Sequence, residues 1–184
     1  MGNDKGNIRA FIAIELPDAV KAAIQEVQDR IKARGLKIRW VKPGNIHLTL
    51  KFLGDISQAD VEKAASAMAE AVEGVGPISL CGKGVGVFPN ARRPKVAWVG
   101  VKGEISRLIE LHKRLADCLE SAGFAKEKRG FKGHLTMGRV KGKIDAGRLA
   151  GVLEALSEFE SEPFTAGEMV LFQSDLRPDG AVYT

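Results

Sequence analysis

Ile46-His47-Leu48-Thr49-Leu50-Lys51-Phe52-Leu53-Gly54 decides how this chain is read, together with its echo Gly133-His134-Leu135-Thr136-Met137-Gly138-Arg139-Val140. Each is a short apolar run with a histidine and a threonine two positions apart. Side chains alternate faces along an extended strand, so His47 and Thr49 share one face while Ile46, Leu48, Leu50 and Phe52 line the other. The same parity groups His134 with Thr136, opposite Leu135 and Met137. Of the 3 histidines in the chain, two sit in copies of one four-residue pattern.

The flanks of the two runs correspond. Ala10 to Leu16 reads as a buried strand stopped by Pro17, and Asp18 to Arg34 as a helix with Val20, Ile24, Val27 and Ile31 on its buried stripe. A short strand at Lys37 to Val41, the His47 strand and a helix capped by Ser57 follow; Val61, Ala65, Met68 and Val72 form the expected stripe of that helix. The second series is a strand at Val96 to Val101, a helix from Glu104 to Ser121, the His134 strand and a helix beginning near Asp145. Ile105, Leu108, Ile109, His112, Leu115, Ala116 and Leu119 mark the first of these helices, and Leu149, Val152, Leu153 and Leu156 the second. Phe11 precedes His47, and Trp98 precedes His134, by the same 36 positions (47 − 11 and 134 − 98). This is the pattern of a duplication whose halves are each too small for a good core.

The expected fold is therefore α+β, a bilobal pseudo-symmetric duplication with antiparallel sheets flanked by helices around a central cleft. The halves fall at about 8–75 and 94–160 within a single domain, with crossing segments at 76–93 and 161–184. Glycines between 74 and 87 favour short twisted strands and turns there. Phe88 to Lys95 reads as a basic loop and Met169 to Leu176 as a late strand, turned by Pro178-Asp179-Gly180 towards Tyr183.

Composition sets bounds on function. With 184 residues, 45% hydrophobic and 28% charged, the chain is of ordinary globular make-up rather than disordered. A formal charge of +5 is compatible with a polyanionic partner or with a merely solubilising surface. Cys81 and Cys118 lack the close spacing of a zinc or redox motif and read as reduced thiols. Met1 to Asn7 is polar, and the apolar run after it is broken by Glu15 and Pro17, so neither a signal peptide nor a membrane span is expected. The expectation is a cytoplasmic protein with no membrane partner.

Two histidines facing one another across a cleft can serve as base and acid in one turnover, because imidazole titrates near neutral pH. Displacement at a phosphodiester requires that pair: one ring removes a proton from the incoming oxygen and the other protonates the oxygen that leaves. A threonine two positions along can donate to a non-bridging phosphate oxygen. A single His-x-Thr on a strand is most often a solvated polar face; repetition at matching places in a duplicated fold favours function. A metal site needs about three or four converging ligands, and neither motif contains a carboxylate. No metal and no cofactor are expected.

These residues, with Arg9-Ala10-Phe11-Ile12-Ala13-Ile14, Phe88-Pro89, Trp98-Val99-Gly100-Val101 and Ser174-Asp175-Leu176 followed by Gly180 and Tyr183, resemble the bacterial and archaeal RNA 2',3'-cyclic phosphodiesterases. These are also called 2'-5' RNA ligases and belong to the two-histidine phosphoesterases. The resemblance runs from Arg9 to Tyr183. It implies opening of RNA 2',3'-cyclic phosphate ends, tRNA halves among them, to 2'-phosphomonoesters by a monomer. It assigns His47 as proton donor, His134 as proton acceptor, and Thr49 and Thr136 as phosphate-holding residues. Joining of RNA ends through a 2'-5' bond would be the reverse reaction. Gly133 stands where relatives tend to carry proline, which gives the backbone before His134 more freedom. An RNA-binding protein without turnover and a phosphodiesterase for a small cyclic phosphate, such as ADP-ribose 1'',2''-cyclic phosphate, are the alternatives.

The candidate substrate-binding residues are Arg139, Lys51, Lys132 and Phe52. Lys51 and Lys132 share face parity with their histidines. Arg139 follows His134 by the 5 positions that separate Phe52 from His47 (139 − 134 and 52 − 47). The resemblance suggests phosphate or RNA binding for it, although strict alternation points it away unless a bulge or strand end intervenes. Phe52 suits the core by parity, or a base-stacking platform. Trp40 and Arg92-Arg93-Pro94-Lys95 can contact a nucleotide or backbone phosphates beyond the cleft. His112 falls in the apolar stripe of its helix and reads as a core or boundary histidine.

Overall fold

A computed structural model describes residues 6–128, 130–178 and 180–184. Most of the polar leader and Asp179 of the expected late turn lie outside the described residues.

The buried run of the first strand, β1 (Ile8–Glu15), ends at Pro17, whose fixed φ starts α1 (Asp18–Lys32). Val20, Ile24, Val27 and Ile31 face the core as their spacing requires. A short β2 (Ile38–Trp40) and a 3-10 turn (Pro43–Asn45) lead into β3 (His47–Ile56) and α2 (Gln58–Val72). There follow β4 (Ile78–Phe88), β5 (Val96–Gly103), α3 (Ile105–Ser121), β6 (His134–Val140), α4 (Ala146–Ala155), β7 (Phe164–Ala166), β8 (Val170–Arg177) and β9 (Gly180–Tyr183).

All the strand pairs among the described residues are antiparallel, in the order β7-β4-β5-β6-β3-β1-β8-β9, with β2 paired to β6. The two expected sheets thus join at the middle, where β3 and β6 are in register at Leu48↔Leu135. About that junction the order is symmetric. β3, β1 and β8 on one side match β6, β5 and β4 on the other. β4 leaves the first half to pair with β5 of the second, and β8 returns from the second half to pair with β1. Each lobe is completed by a strand from the opposite half, and the buried residues of both form one core.

A second symmetry lies in the register. Between β1 and β3 the partners run Ala13↔Thr49 then Ile12↔Lys51, leaving Leu50 unmatched. Between β5 and β6 they run Trp98↔Thr136 then Ala97↔Gly138, leaving Met137 unmatched. Both extra residues lie three positions after the motif histidine. A bulge inserts one residue and reverses the parity beyond it.

That reversal corrects two expectations. Lys51 does not share a face with His47: it is 7% exposed, and its Nζ donates to the Ala125 carbonyl at 2.8 Å. Phe52 is not in the core: it is 66% exposed. Gly138, the counterpart of Lys51, is buried where a side chain would run into Ile38 and the Arg39 carbonyl of β2.

Three further differences concern packing. Ser57 caps α2 through a reciprocal capping box with Asp60, but the buried stripe of that helix is Ala64, Ala67 and Ala71. Ala65 and Val72 are exposed. On α3 the buried face is Leu108, Leu111, Leu115 and Leu119, with Ile109 turned outward. The glycine-rich 78–88 segment forms one long strand instead of several pieces, because a bulge at Gly84, with φ +63°, carries it on without a break.

Candidate active site

Each motif histidine is the first residue of its strand, and the chain just before it fixes its ring. His47 Nδ1 lies 2.8 Å from the Asn45 carbonyl, and His134 Nδ1 lies 2.6 Å from the Lys132 carbonyl. A carbonyl can only accept, so each Nδ1 carries the hydrogen and donates it. In the neutral ring Nε2 is then the free, basic nitrogen. The two halves prepare the same tautomer by the same contact to the residue two positions earlier.

The rings differ in surroundings. Phe11 stacks on His47 at 4.7 Å between centroids and 27° between planes, and Tyr183 meets it edge-on at 5.3 Å. Asn45 Nδ2 donates to the Ala181 carbonyl at 2.7 Å, which draws β9 against this wall. Burial in the aromatic box pushes the His47 pKa below the usual imidazole value, with the Asn45 carbonyl opposing in part. His134 is half-buried, with Phe88 edge-on at 4.9 Å and 89°.

Two adjoining cavities cross the junction of the lobes. One, of about 240 Å³, is lined by His47, Thr49, Thr136 and Arg139, with Arg9, Ser174 and Tyr183 around the rim. The other, of about 260 Å³, is lined by His134, Lys132, His112 and Phe131. Thr49 and Phe52 belong to both. His47 and His134 thus open onto adjoining spaces of one cleft, with both threonine side chains on it.

The remaining sequence candidates divide. The Met137 bulge supplies the change of parity that Arg139 needs, and Arg139 lines the first cavity. It lies near enough to Tyr183 to oppose the rise in the phenol's pKa that burial causes. Lys132 lines the second cavity, while Lys51 faces away as described. Trp40 lies on neither cavity and packs beneath Lys32, whose Nζ is 5.7 Å from the ring centroid. The Arg92-Arg93 loop also lies on neither; its backbone amides donate to Asn90 Oδ1 at 3.1 Å. His112 is at the boundary, stacked on Phe131 at 4.1 Å. Burial lowers its pKa. Among the described residues no three His, Cys, Asp or Glu side chains are grouped so as to hold a metal ion, and no helix is long and apolar enough to cross a membrane.

Arg9, Phe11, Asn45, Ser174 and Tyr183 were not singled out as site residues by the sequence. Arg9 and Phe11 carried a signal, since they repeat the two-residue spacing on a strand that neighbours His47. Ser174 and Tyr183 carried none in periodicity, because the β8–β9 hairpin reaches the site only through its crossing to the opposite half.

Comparison with known proteins matches the LigT like Phosphoesterase family model to residues 14–98 and again to 99–183. The junction falls inside β5. An RNA 2',3'-cyclic phosphodiesterase of Methanothermobacter thermautotrophicus is 32% identical over 96% of this chain and 95% of its own length. One from Aquifex aeolicus is 33% identical over 96% and 94%. The crystal structure of TT0787 of Thermus thermophilus superposes with a TM-score of 0.76 at 25% identity, covering 96% of this chain and 94% of that one. E. coli LigT complexed with 3'-AMP gives 0.73 at 23% identity over 97% and 94%, a likeness of fold.

Proposed function

The chain belongs to the LigT-like phosphoesterase family, and on that premise we propose that it hydrolyses RNA 2',3'-cyclic phosphate ends to 2'-phosphomonoesters with two histidines and no metal. The observation that carries the reading is the pair of identically held imidazoles, each with Nδ1 tied to a carbonyl and Nε2 left for the cleft.

In this reading the cyclic phosphate lies across Thr49 and Thr136, whose hydroxyls donate to its non-bridging oxygens. His134 Nε2 takes a proton from water as the water oxygen bonds to phosphorus. The bond from phosphorus to the 3' oxygen breaks, and protonated His47 Nε2 delivers a proton to that oxygen. Burial favours neutral His47 in the free protein, so the proton donor is made on binding, when the phosphate anion draws a proton onto the ring. Arg139 neutralises the developing charge from the first cavity, Lys132 attracts the anionic chain, and Phe52 offers a ring to a base. Lys51 takes no part in binding. With a nucleoside 5' hydroxyl in place of water the displacement is the same: His134 takes the proton of that hydroxyl as its oxygen bonds to phosphorus, His47 again protonates the departing 3' oxygen, and a 2'-5' bond is formed.

Replacing either histidine should lower the rate by about 10²–10⁴-fold, the usual worth of one positioned proton transfer. The test is hydrolysis of adenosine 2',3'-cyclic phosphate in EDTA by wild type, His47→Ala and His134→Ala, with circular dichroism to confirm folding. A 2'-phosphate product, lost in both variants, is expected. Full activity in either variant, or a 3'-phosphate product, overturns the reading.

A further inference from the structure

Behind the cleft, one buried polar side chain has no part in the chemistry above. Gln28 on α1 is 1% exposed, and its Nε2 donates to the Val41 carbonyl at 2.9 Å and the Met137 carbonyl at 3.0 Å. Met137 is the residue that β6 carries in excess of β5. Its carbonyl also accepts from the Val41 amide at 2.8 Å. The bulge is therefore clasped from two sides, by the helix of the other half and by the chain leaving β2.

The opposite lobe has a matching arrangement. His112 on α3 lies near Leu50, the unmatched residue of β3, whose backbone opposes the fall in the ring's pKa. Each half thus places one polar side chain of its first helix near the bulge of the other half's motif strand, and in Gln28 that side chain is bonded to it. A buried amide is costly unless it is bonded, and hydrophobic packing alone would have favoured leucine or methionine here. The bulge has a definite consequence for the site. Without the extra residue, strict alternation would turn Arg139 to the core and Gly138 to the cleft.

We propose that Gln28 is a positioning residue: by holding the Met137 bulge it keeps the Arg139 guanidinium in the cleft, where it meets the phosphate of the substrate. The proposal rests on the function proposed above for the part played by Arg139. Gln28 itself touches no reacting atom. Because His134 and Thr136 precede the bulge, Gln28 governs substrate binding rather than proton transfer.

The test is a mutant cycle on wild type, Gln28→Met, Arg139→Ala and the double variant, reading KM and kcat on adenosine 2',3'-cyclic phosphate and calorimetric binding of adenosine 2'-monophosphate. Gln28→Met keeps the side-chain volume without a donor, and should raise KM and Kd about tenfold, the usual worth of one charge-assisted hydrogen bond, with little change in kcat. In the Arg139→Ala background the same substitution should change neither KM nor Kd appreciably. Gln28→His, which restores one ring donor, should recover most of the loss. Equal losses in both backgrounds, an unchanged KM in Gln28→Met, or a fall in kcat alone overturns the proposal. If Gln28→Met does not fold, Gln28→His is compared with wild type in both Arg139 backgrounds, and a partial KM effect that persists undiminished in Arg139→Ala overturns it. A wild type that fails to open the cyclic phosphate counts against the enzymatic reading alone. Amide exchange at Gly138 to Val140 then decides the positioning role: faster exchange in Gln28→Met supports it, and unchanged exchange overturns it.

Discussion

Burial makes the His47 ring harder to protonate, and a single hydrogen bond fixes its tautomer. Phe11 and Tyr183 cover the ring, while the Asn45 carbonyl accepts a hydrogen bond from Nδ1 and opposes part of the shift. Desolvation lowers its folded pKa below 6.5, so the folded chain binds the proton less readily than the unfolded chain. Its contribution to stability is thus complete above 6.5 and is lost as pH falls below that value towards the folded pKa. Urea denaturation of His47→Gln should therefore show a smaller loss of stability between pH 7 and pH 5 than wild type. His112, also lowered by burial, keeps the loss in the variant from vanishing. In wild type, the His47 ring protons should titrate below the usual imidazole range by NMR and move upward when adenosine 2'-monophosphate is bound. A midpoint at or above 6.5 in the free protein would remove the desolvation argument. The identity of the two motif histidines could be read from sequence, because a doubled pattern needs no three-dimensional information. The aromatic box around one of them could not, since Tyr183 arrives from the far end of the chain.

Elements show where periodicity stops being informative. Apolar spacing finds the buried Val20, Ile24, Val27 and Ile31 of α1 but places Gln28 on the polar side, where the structure buries it with them. On α2 apolarity and burial separate further. That helix packs against α3, with Arg114 of α3 donating to the Glu70 and Glu73 carbonyls at its end, and alanines line the buried side while Val72 is left outside. Ranking by hydrophobicity selects the wrong face when close helix approach favours small side chains. In the motif strands a single extra residue has the larger effect. Neither Leu50 nor Met137 looks unusual in sequence, since a bulge is a property of two strands together. Yet those two residues decide that Phe52 and Arg139 line the cleft and that Lys51 does not. Phe52→Ala tests that outcome. A core phenylalanine would cost about 3–5 kcal/mol on truncation, whereas one that is 66% exposed should leave the denaturation midpoint nearly unchanged. If the ring stacks on a base, KM for the cyclic nucleotide should rise about tenfold, within the usual range for one base on an aromatic platform. A large loss of stability with unchanged KM would place the ring back in the core.

Across the whole molecule, the duplication makes the halves alike and the crossing of β4 and β8 makes them inseparable. β1 needs β8 as its outer neighbour and β5 needs β4, so neither half of the sequence contains a complete lobe. The motif strands meet at Leu48↔Leu135, both 0% exposed, and the polar clasp from α1 to β6 crosses the same junction. Independent opening of one lobe would withdraw a central strand from a partner in the other and expose that shared core. Unfolding should therefore be a single cooperative event despite the bilobal shape. Hydrogen exchange followed at increasing urea separates the cases. The amides of Ile12 in β1 and Val99 in β5, both fully buried at the centres of opposite lobes, should share one opening free energy and one urea dependence, equal to those of global unfolding. If Ile12 exchanges through a smaller opening than Val99, or the reverse, the lobes unfold separately. The two histidines would then be brought together by docking of the lobes rather than by the fold itself.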